Sequence, residues 1–204
     1  MSESSSPLRV GCVLMAAGFG RRFGGNKLLT RTDGVPLYER AMEVLSPVPF
    51  ARRVVVSQYP EVLRAGPSRG FAPIWNAAAG EGIAATVRLG TAALEGLDGA
   101  LFAVCDQPFL TTESILNLLQ SFMQSPTHIH ALSWHGQRGN PVLFPASCFS
   151  ELRALTGDRG GGKVAARHPE QVVLVEAASP QELRDIDCPE DLMQTPDYGK
   201  EPRL

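Results

Sequence analysis

Three basic residues that stand close together, with no acidic residue among them, are the first chemical signal in this sequence: Arg21, Arg22 and Lys27. They follow a short apolar run, residues 10–15, which has the uncharged pattern of a strand buried on both faces. Between the strand and the cations lie residues 16–18, Ala-Ala-Gly, which are small enough to let the backbone approach a ligand closely. Backbone N–H groups and fixed positive charge together bind anionic oxygens. The stretch therefore predicts a phosphate-binding loop.

Neither of the two common phosphate-binding motifs fits this loop. In the P-loop pattern a Lys and a Ser or Thr follow the second Gly, but here Asn26 follows Gly25 and Leu28 follows Lys27. In the dinucleotide-binding fingerprint the third Gly permits close helix packing, and Phe23 stands in its place. The plain alternative is a glycine-rich loop whose Arg and Lys side chains are simply solvated.

The loop instead resembles the signature loop of the sugar-nucleotide type of nucleotidyltransferases, which has the form L-x-A-G-x-G-x-R followed by a later Lys. The resemblance implies that the loop binds a nucleotide and that Arg21 and Lys27 take part in catalysis. The positions that fill the pattern, and that we expect to contact the nucleotide, are Leu14, Ala16, Ala17, Gly18, Gly20, Arg22 and Lys27.

A carboxylate, Asp106, follows a second buried strand, residues 100–105. The carboxyl ends of strands form the edge where open α/β sheets bind ligands. A carboxylate there is costly unless it is neutralised, and a divalent cation carried by a nucleotide would neutralise it. Alternatively, Asp106 only caps backbone groups before Pro108. Residues 104–108 also resemble the G-D-Q-P block of the same family, which implies that Asp106 is a catalytic residue and a Mg²⁺ ligand.

A second carboxylate, Asp187, lies in a segment, residues 185–192, that resembles the closing D-I-D-T-P-E-D-L motif of the family. The resemblance implies that Asp187 is the second ligand of the metal. Asp187 also stands two residues before Pro189 and is followed by Glu190, which is typical of a helix N-cap. Both interpretations stay open at this point.

Two further regions resemble substrate-binding segments of the family. Residues 80–86 resemble a G-M-S-x-S segment, so we expect Gly82 and Thr86 to bind the nucleotide; an ordinary helix start with an inward Thr is the alternative. Residues 138–144 and 156–163 resemble the blocks that line the acceptor pocket, and a plain surface loop is the alternative there. The expected acceptor-binding residues are Arg138, Asn140, Asp158 and Arg159, with Lys163 adding positive charge.

Strand-like and helix-like segments alternate along the chain with short links, which predicts an α/β fold with a single-domain, doubly wound, mostly parallel sheet. The resemblance makes this a Rossmann-like nucleotidyltransferase fold of the nucleotide-diphospho-sugar transferase type. Strands are expected at residues 10–15, 53–57, 71–75, 100–105, 131–134, 141–144 and 172–175. Helices are expected at residues 36–45, 83–97, 111–123, 146–155 and 187–192. Thr111 or Thr112 is expected to cap the third of them, and residues 135–139 are expected to form a hairpin-like turn between two strands.

Length and composition restrict the class of protein. The 204 residues suit one domain, residues 8–195, between a disordered N-terminal tail, 1–7, and a C-terminal tail, 196–204. The net charge of −2 argues against a nucleic-acid partner, and the longest apolar runs are too short to span a membrane. Four cysteines without a C-x-x-C pair argue against a zinc site and a disulfide framework, so we expect a cytoplasmic protein.

The motifs occur in family order over residues 10–192, and the chain is similar to the molybdenum cofactor cytidylyltransferase group of the MobA-like nucleotidyltransferases. The resemblance implies CTP and molybdopterin as substrates, Mg²⁺ as cofactor, and transient contact with proteins that mature molybdoenzymes. Ala17 favours cytosine, because guanylyl-transferring members tend to have Gly there and a methyl group leaves less room for a purine. Guanylyl transfer to molybdopterin or to another small phosphorylated acceptor is one alternative. A non-catalytic nucleotide-binding regulatory protein is the other, although Lys27 and Asp106 argue against it.

Overall fold

A computed structural model describes residues 8–18, 26–187 and 191, so both predicted tails lie outside the described residues. Seven strands form one sheet: β1 (Val10–Ala16), β4 (Arg52–Ser57), β5 (Ala72–Trp75), β6 (Gly99–Val104), β7 (Ile129–Trp134), β8 (Gln137–Pro145) and β9 (Val172–Glu176). Their order is β5-β4-β1-β6-β8-β7-β9, and β8 alone runs antiparallel to its neighbours. A separate two-stranded hairpin consists of β2 (Arg31–Thr32) and β3 (Val35–Pro36). The predicted mostly parallel α/β sheet is therefore confirmed.

Helices cover both faces of the sheet and create two hydrophobic layers. The helices are α1 (Leu37–Leu45), α2 (Pro60–Ala65), α3 (Ile83–Ala93), α4 (Thr112–Gln124), α5 (Phe149–Arg153) and α6 (Gly161–Ala165). Side chains of α1, α2 and α4 pack in one layer, and those of α3, α5 and α6 pack in the other. None of the helices in the described part of the chain is long and apolar enough to cross a membrane.

Strand β1 lies at the centre of this arrangement. Its residues Cys12 and Leu14 pack in the layer of α1 and α4, and Val13 packs in the layer of α3. All three side chains are fully buried, as predicted for a strand covered on both faces. Gly90 of α3 packs so closely on β1 that a Cβ atom would lie 2.5 Å from Val13 Cγ1. Helix α3 can therefore lie directly against the strand that leads into the predicted phosphate-binding loop.

Two of the predicted local features are confirmed, and several boundaries differ; strand β8, for example, begins at Gln137 rather than at residue 141. Thr111 caps α4, since its side chain accepts a hydrogen bond from the Ser114 N–H. The predicted β7–β8 hairpin turns through His135 and Gly136, which both have positive φ angles. Helix α3 ends at Ala93 rather than at residue 97, because the chain turns back there and packs Leu94 and Leu97 over Gly11 and β1. Most of the helix predicted at residues 187–192 lies outside the described residues.

Candidate active site

The residues that follow β1 are held by side chains that follow the neighbouring strand β4. Ser57 Oγ donates to the carbonyl of residue 16 at 2.6 Å, Gln58 Nε2 to that of residue 17 at 2.6 Å, and Tyr59 Oη to that of residue 18 at 2.9 Å. Each hydrogen bond fixes one successive carbonyl of the loop. Because the carbonyls of residues 16–18 accept these hydrogen bonds, their peptide units have a defined orientation at the carboxyl edge of the sheet.

The predicted nucleotide-binding residues of this loop occupy different environments. Ala17 and Gly18 line a cavity of about 460 Å³, a volume in the range of small-molecule sites. Leu14 and Ala16 are not among the residues that line it: Leu14 is fully buried in the core, and only 1% of Ala16 is exposed. Alternation along the strand explains this, since Met15 faces the cavity while its two neighbours face the opposite layer. The predicted residues Gly20, Arg21 and Arg22 lie outside the described residues.

Lys27 begins a short 3-10 helix, Lys27–Leu29, whose first turn is capped by Asn26: the Asn26 Oδ1 accepts a hydrogen bond from the Leu28 N–H at 3.1 Å. The Lys27 ammonium group reaches across the cavity edge to three oxygens. It donates to Asp106 Oδ2 at 2.6 Å, to Asp187 Oδ1 at 3.2 Å and to the Ile186 carbonyl at 3.3 Å. These three charged side chains, Lys27, Asp106 and Asp187, are called the charged cluster below.

A backbone hydrogen bond explains why the two carboxylates of the charged cluster meet, although they are far apart in the sequence. The Ile186 N–H donates to the Asp106 carbonyl at 2.8 Å, directly beyond the end of β6. This bond fixes the closing segment against the carboxyl edge of the sheet and places Asp187 beside Asp106. The Asp187 N–H in turn is bound by Asp191 Oδ2 at 2.8 Å, so the backbone of Asp187 is anchored while its carboxylate faces Lys27.

Charge and burial change the protonation behaviour of this cluster. Burial of the ammonium group lowers the pKa of Lys27, but Asp106 and Asp187 outweigh that effect, so its pKa is raised and it stays protonated. A third carboxylate belongs to Asp185, an exposed residue whose carboxyl group is nevertheless partly desolvated by surrounding protein atoms. Burial and the charges of Asp106 and Asp187 raise the pKa of Asp185 to about 6. Among the described residues, the site is thus an acidic cluster that the Lys27 ammonium group partly neutralises.

The donor atoms present are suitable for a hard divalent cation that is shared with a ligand. Asp106 Oδ1 is buried and has no hydrogen-bond partner among the described residues, which is costly for a carboxylate oxygen. The side chain of Asp187 is about half exposed, at 54%. The described residues contain no group of three or more His, Cys, Asp or Glu side chains placed to hold a metal. Asp106 and Asp187 would be the residues to hold such a cation, with its other positions left to water and to ligand oxygens.

Residues 79–83 and Thr86 form another part of the cavity lining, and residues 76–86, of which only Glu81 is charged, are called the neutral segment below. Gly82 has a φ of +101°, and a Cβ atom there would lie 2.5 Å from Asp158 Oδ1 and 2.6 Å from the Gly157 carbonyl carbon. The Ala84 N–H also donates to the Gly157 carbonyl at 3.1 Å. Only glycine fits this contact, which brings Asp158 into the lining of the same cavity. Thr86, at the first turn of α3, also lines it.

The remaining predicted acceptor residues lie away from this lining. Of the four, Asp158 alone is among the residues that form the described cavity. Arg138 on β8 is exposed and donates to the Gly162 carbonyl of α6 at 3.3 Å. Asn140 is half-buried and precedes a cis peptide bond to Pro141, and Arg159 is exposed. The structure thus joins Asp158 to the predicted nucleotide-binding residues and leaves Arg138 beside α6.

With this geometry in place, comparison with known proteins identifies the family. A family model for the MobA-like NTP transferase domain matches residues 12–172, which include Lys27, Asp106 and Asp158. The chain belongs to this family. It is therefore a nucleotidyltransferase of the MobA-like type. A comparison with curated proteins gives no match.

Solved structures share the fold at low sequence identity. A nucleotidyl transferase from Methanothermobacter thermautotroptrophicus aligns with a TM-score of 0.74 at 23% identity, covering 91% of this chain and 94% of that one. The molybdopterin-guanine dinucleotide biosynthesis protein A of Archaeoglobus fulgidus aligns with a TM-score of 0.68 at 21% identity, over 90% and 95% of the two chains. Rv0371C of Mycobacterium tuberculosis, in a complex with manganese, aligns with a TM-score of 0.66 at 21% identity, over 83% and 90%.

Several residues that shape the site are not apparent as site residues from their motifs. Ser57, Gln58 and Tyr59 hold the loop through side-chain hydrogen bonds, and the signal for them is their position directly at the end of strand β4. Asp185 lies two residues before Asp187 in the closing motif, yet only the folded arrangement brings it near Asp106. Asn76, the last of these residues, is fully buried beside Thr86 and has no signature in the sequence.

Proposed function

We propose that this MobA-like transferase transfers CMP from CTP to the terminal phosphate of molybdopterin. Pyrophosphate is released and molybdopterin cytosine dinucleotide is formed. The observation that carries the proposal is the charged cluster: an ammonium group and two carboxylates meet at the edge of a nucleotide-sized cavity, beside the loop that follows β1. Family membership supports nucleotidyl transfer, and the motifs at residues 138–144 and 156–163 support a phosphorylated pterin acceptor.

The reaction requires positioning and charge neutralisation rather than a covalent intermediate. A terminal phosphate oxygen of molybdopterin attacks the α-phosphorus of CTP, and the bond between that phosphorus and the oxygen bridging to the β-phosphate breaks. Lys27 remains protonated throughout and supplies positive charge to the triphosphate. Asp106 and Asp187 would hold Mg²⁺, which when bound withdraws negative charge from phosphate oxygens. The buried thiols do not serve as nucleophiles, since burial raises the pKa of Cys105 well above its ordinary value.

The choice of cytosine rests on Ala17. Its side chain lies in the cavity lining, only 7% of the residue is exposed, and Gln58 fixes its carbonyl at 2.6 Å. The methyl group therefore cannot withdraw by a simple rotation of that peptide, and it occupies room that a purine would need. Guanylyl transfer is the competing activity, supported by the similar fold of the Archaeoglobus guanine dinucleotide protein.

The proposal is tested by supplying the protein with molybdopterin, Mg²⁺ and each of CTP, GTP, ATP and UTP in turn, and by measuring pyrophosphate release and the dinucleotide product. We expect CTP to be used in clear preference to the other three. Preference for GTP would replace the cytidylyl assignment by the guanylyl one. The absence of product with all four nucleotides, while nucleotide still binds, would exclude molybdopterin as the acceptor.

A further inference from the structure

Two threonines of helix α3 use their hydroxyl groups in opposite ways. Thr91 Oγ1 donates to the Val87 carbonyl at 2.7 Å, the usual bond from a helical Thr to the residue four positions earlier. Thr86 Oγ1 instead accepts a hydrogen bond from Asn76 Nδ2 at 3.0 Å. Both residues are buried, but only Thr86 lines the cavity. Thr91 therefore uses its hydroxyl proton within its own helix, whereas Thr86 uses its hydroxyl oxygen as an acceptor.

The direction of the Asn76–Thr86 bond is determined by a third group. Asn76 Oδ1 lies 3.0 Å from the Ala78 nitrogen, and a backbone N–H can only donate. The oxygen of the Asn76 amide must therefore face Ala78, so its NH₂ group must face Thr86. The Asn76 N–H also donates to the Ser57 carbonyl at 2.9 Å, and only 1% of Asn76 is exposed. The side chain cannot reverse without losing a buried hydrogen bond.

The hydroxyl proton of Thr86 has no acceptor within the described residues. A hydroxyl has one proton and two lone pairs, and Asn76 occupies one of the lone pairs. The carbonyl four positions earlier belongs to Gly82; it accepts from the Ala85 N–H at 3.2 Å, and Thr86 Oγ1 makes no hydrogen bond to it, in contrast to the bond from Thr91 to Val87. Because Thr86 lines the cavity, this proton is available to a ligand there.

We propose that Asn76 is a positioning residue, which turns the Thr86 hydroxyl into a hydrogen-bond donor towards the bound nucleotide. The ligand atom that it recognises is an acceptor on the neutral part of the nucleotide: a base carbonyl, a ring nitrogen or a ribose oxygen. This inference rests on the proposed function and deepens it. A carbonyl-bearing base satisfies the donor, whereas a ligand without an acceptor at this point leaves the hydroxyl proton unpaired and binds more weakly.

The test is a double-mutant cycle between the two side chains, with the affinity for Mg²⁺–CTP measured by calorimetry. Asn76→Asp keeps the shape but places acceptor oxygens against Thr86, so its hydroxyl proton turns away from the cavity. Thr86→Val keeps the shape and removes the hydroxyl. Each single variant should weaken CTP binding by about tenfold, the scale of one hydrogen bond. The double variant should be weaker by about tenfold as well, because both changes remove the same interaction.

Controls separate positioning from general destabilisation. Thr91→Val removes the other buried hydroxyl of the same helix and should leave CTP affinity unchanged, while Thr86→Ser should retain most of the wild-type affinity. Thermal unfolding of every variant gives its stability independently. If Asn76→Asp does not fold, Asn76→Ala takes its place in the cycle with the same expected non-additivity.

The inference is overturned if substitution of Asn76 weakens CTP binding equally with and without the Thr86 hydroxyl, or if it leaves the affinity unchanged. If the wild-type protein binds CTP but forms no product with molybdopterin, the proposed acceptor fails while the cycle still decides the role of Asn76. If the wild type prefers GTP, the same cycle is measured with GTP and base choice alone is revised. If it binds neither nucleotide, the proposed function and this inference both fail.

Discussion

The charged cluster and the neutral segment both contribute residues to the same cavity but are built in opposite ways. Lys27, Asp106 and Asp187 come from distant parts of the chain and are joined by long-range ion pairs. Gly82 and Thr86 lie in one short segment, fixed by a positive backbone angle that suits glycine and by a buried hydrogen bond. Charges act over several ångströms and tolerate small displacements, whereas a close contact does not. We infer that the first region neutralises the triphosphate and that the second contacts the nucleoside.

The largest effect is expected in the charged cluster. Asp106→Asn keeps the shape of the side chain but removes the charge that would hold the metal, so turnover should fall by about two orders of magnitude or more. Stability should change little, because the variant loses the ion pair with Lys27 but also relieves the repulsion between Asp106 and the neighbouring Asp185. Pyrophosphate release and thermal unfolding measure the two effects.

Asp33→Asn is the matched control for that variant. Asp33 also forms an ion pair, with Arg40 Nη2 at 2.6 Å, but its side chain is 92% exposed and lies outside the cavity lining. Turnover should be that of the wild type. Full activity in Asp106→Asn at ordinary Mg²⁺ concentrations would remove the carboxylate from the mechanism.

The neutral segment should respond to shape alone. Gly82→Ala combines an unfavourable φ with a clash against Gly157, a strain of about 1–3 kcal/mol. We expect at least about tenfold weaker CTP binding and a lower unfolding temperature. Gly80→Ala is the control, because a Cβ there meets no atom within 4 Å. Equal effects of the two substitutions on CTP affinity would show that close packing at Gly82 is not required.

The preference for one base over another should change when the methyl group of Ala17 is removed. Ala17→Gly opens room for a purine, and a single methyl group in a pocket is worth about ten- to two-hundredfold in discrimination. The ratio of kcat/KM for GTP to that for CTP should therefore rise, without a complete reversal of preference. An unchanged ratio would exclude Ala17 from the account of specificity.

Lys27 should affect free metal and nucleotide in opposite directions. Its ammonium group contacts the two carboxylates that would hold a cation, so Lys27→Met should bind Mn²⁺ in the absence of nucleotide several-fold more tightly. The same variant should bind Mg²⁺–CTP more weakly, because a positive charge near the triphosphate is lost. Paramagnetic resonance follows free Mn²⁺, calorimetry follows CTP, and Lys163→Met is the control for loss of a surface ammonium. Weaker Mn²⁺ binding by Lys27→Met would contradict this account.

The smallest effect concerns the stability cost of crowding carboxylates. Asp185 has a pKa of about 6 in the folded protein against an ordinary value of 3.8, so the folded state holds its proton more tightly than the unfolded chain. The free energy of unfolding therefore decreases as pH rises between these values, and stays lower above them. Asp185→Asn should be stabilising at pH 7.5 by less than about 1 kcal/mol, because the residue is exposed and screened.

Thermal unfolding in EDTA at pH 7.5 and again below pH 4 measures that difference. The stabilisation should disappear at the lower pH, where both states are protonated. The same stabilisation at both pH values would show that packing, and not charge, is responsible. Thr86→Val should show no such pH dependence, since the neutral segment has no titrating group at that position.

The sequence predicted the features that depend on local patterns. The uncharged run at residues 10–15 predicted a strand buried on both faces, and the structure confirms it in β1. The Thr111 cap and the hairpin between β7 and β8 follow equally from residue types at fixed spacing. The direction of the Leu14 side chain did not follow from the motif, because a motif position does not reveal whether a side chain faces the ligand or the core. Alternation along the strand directs it into the core.

By itself the sequence thus determined the alternation of strands and helices, the loop after β1, Lys27 as a candidate nucleotide-binding residue, and Asp106 and Asp187 as expected ligands of one metal. Only the tertiary structure decided that these three side chains meet, through the hydrogen bond between Ile186 and Asp106. It also decided that Asp158 lies against Gly82 and that Asn76 faces Thr86. The physical reason is that patterns of residue type report the local backbone, whereas contacts between distant segments depend on strand order and on how the connecting chain packs.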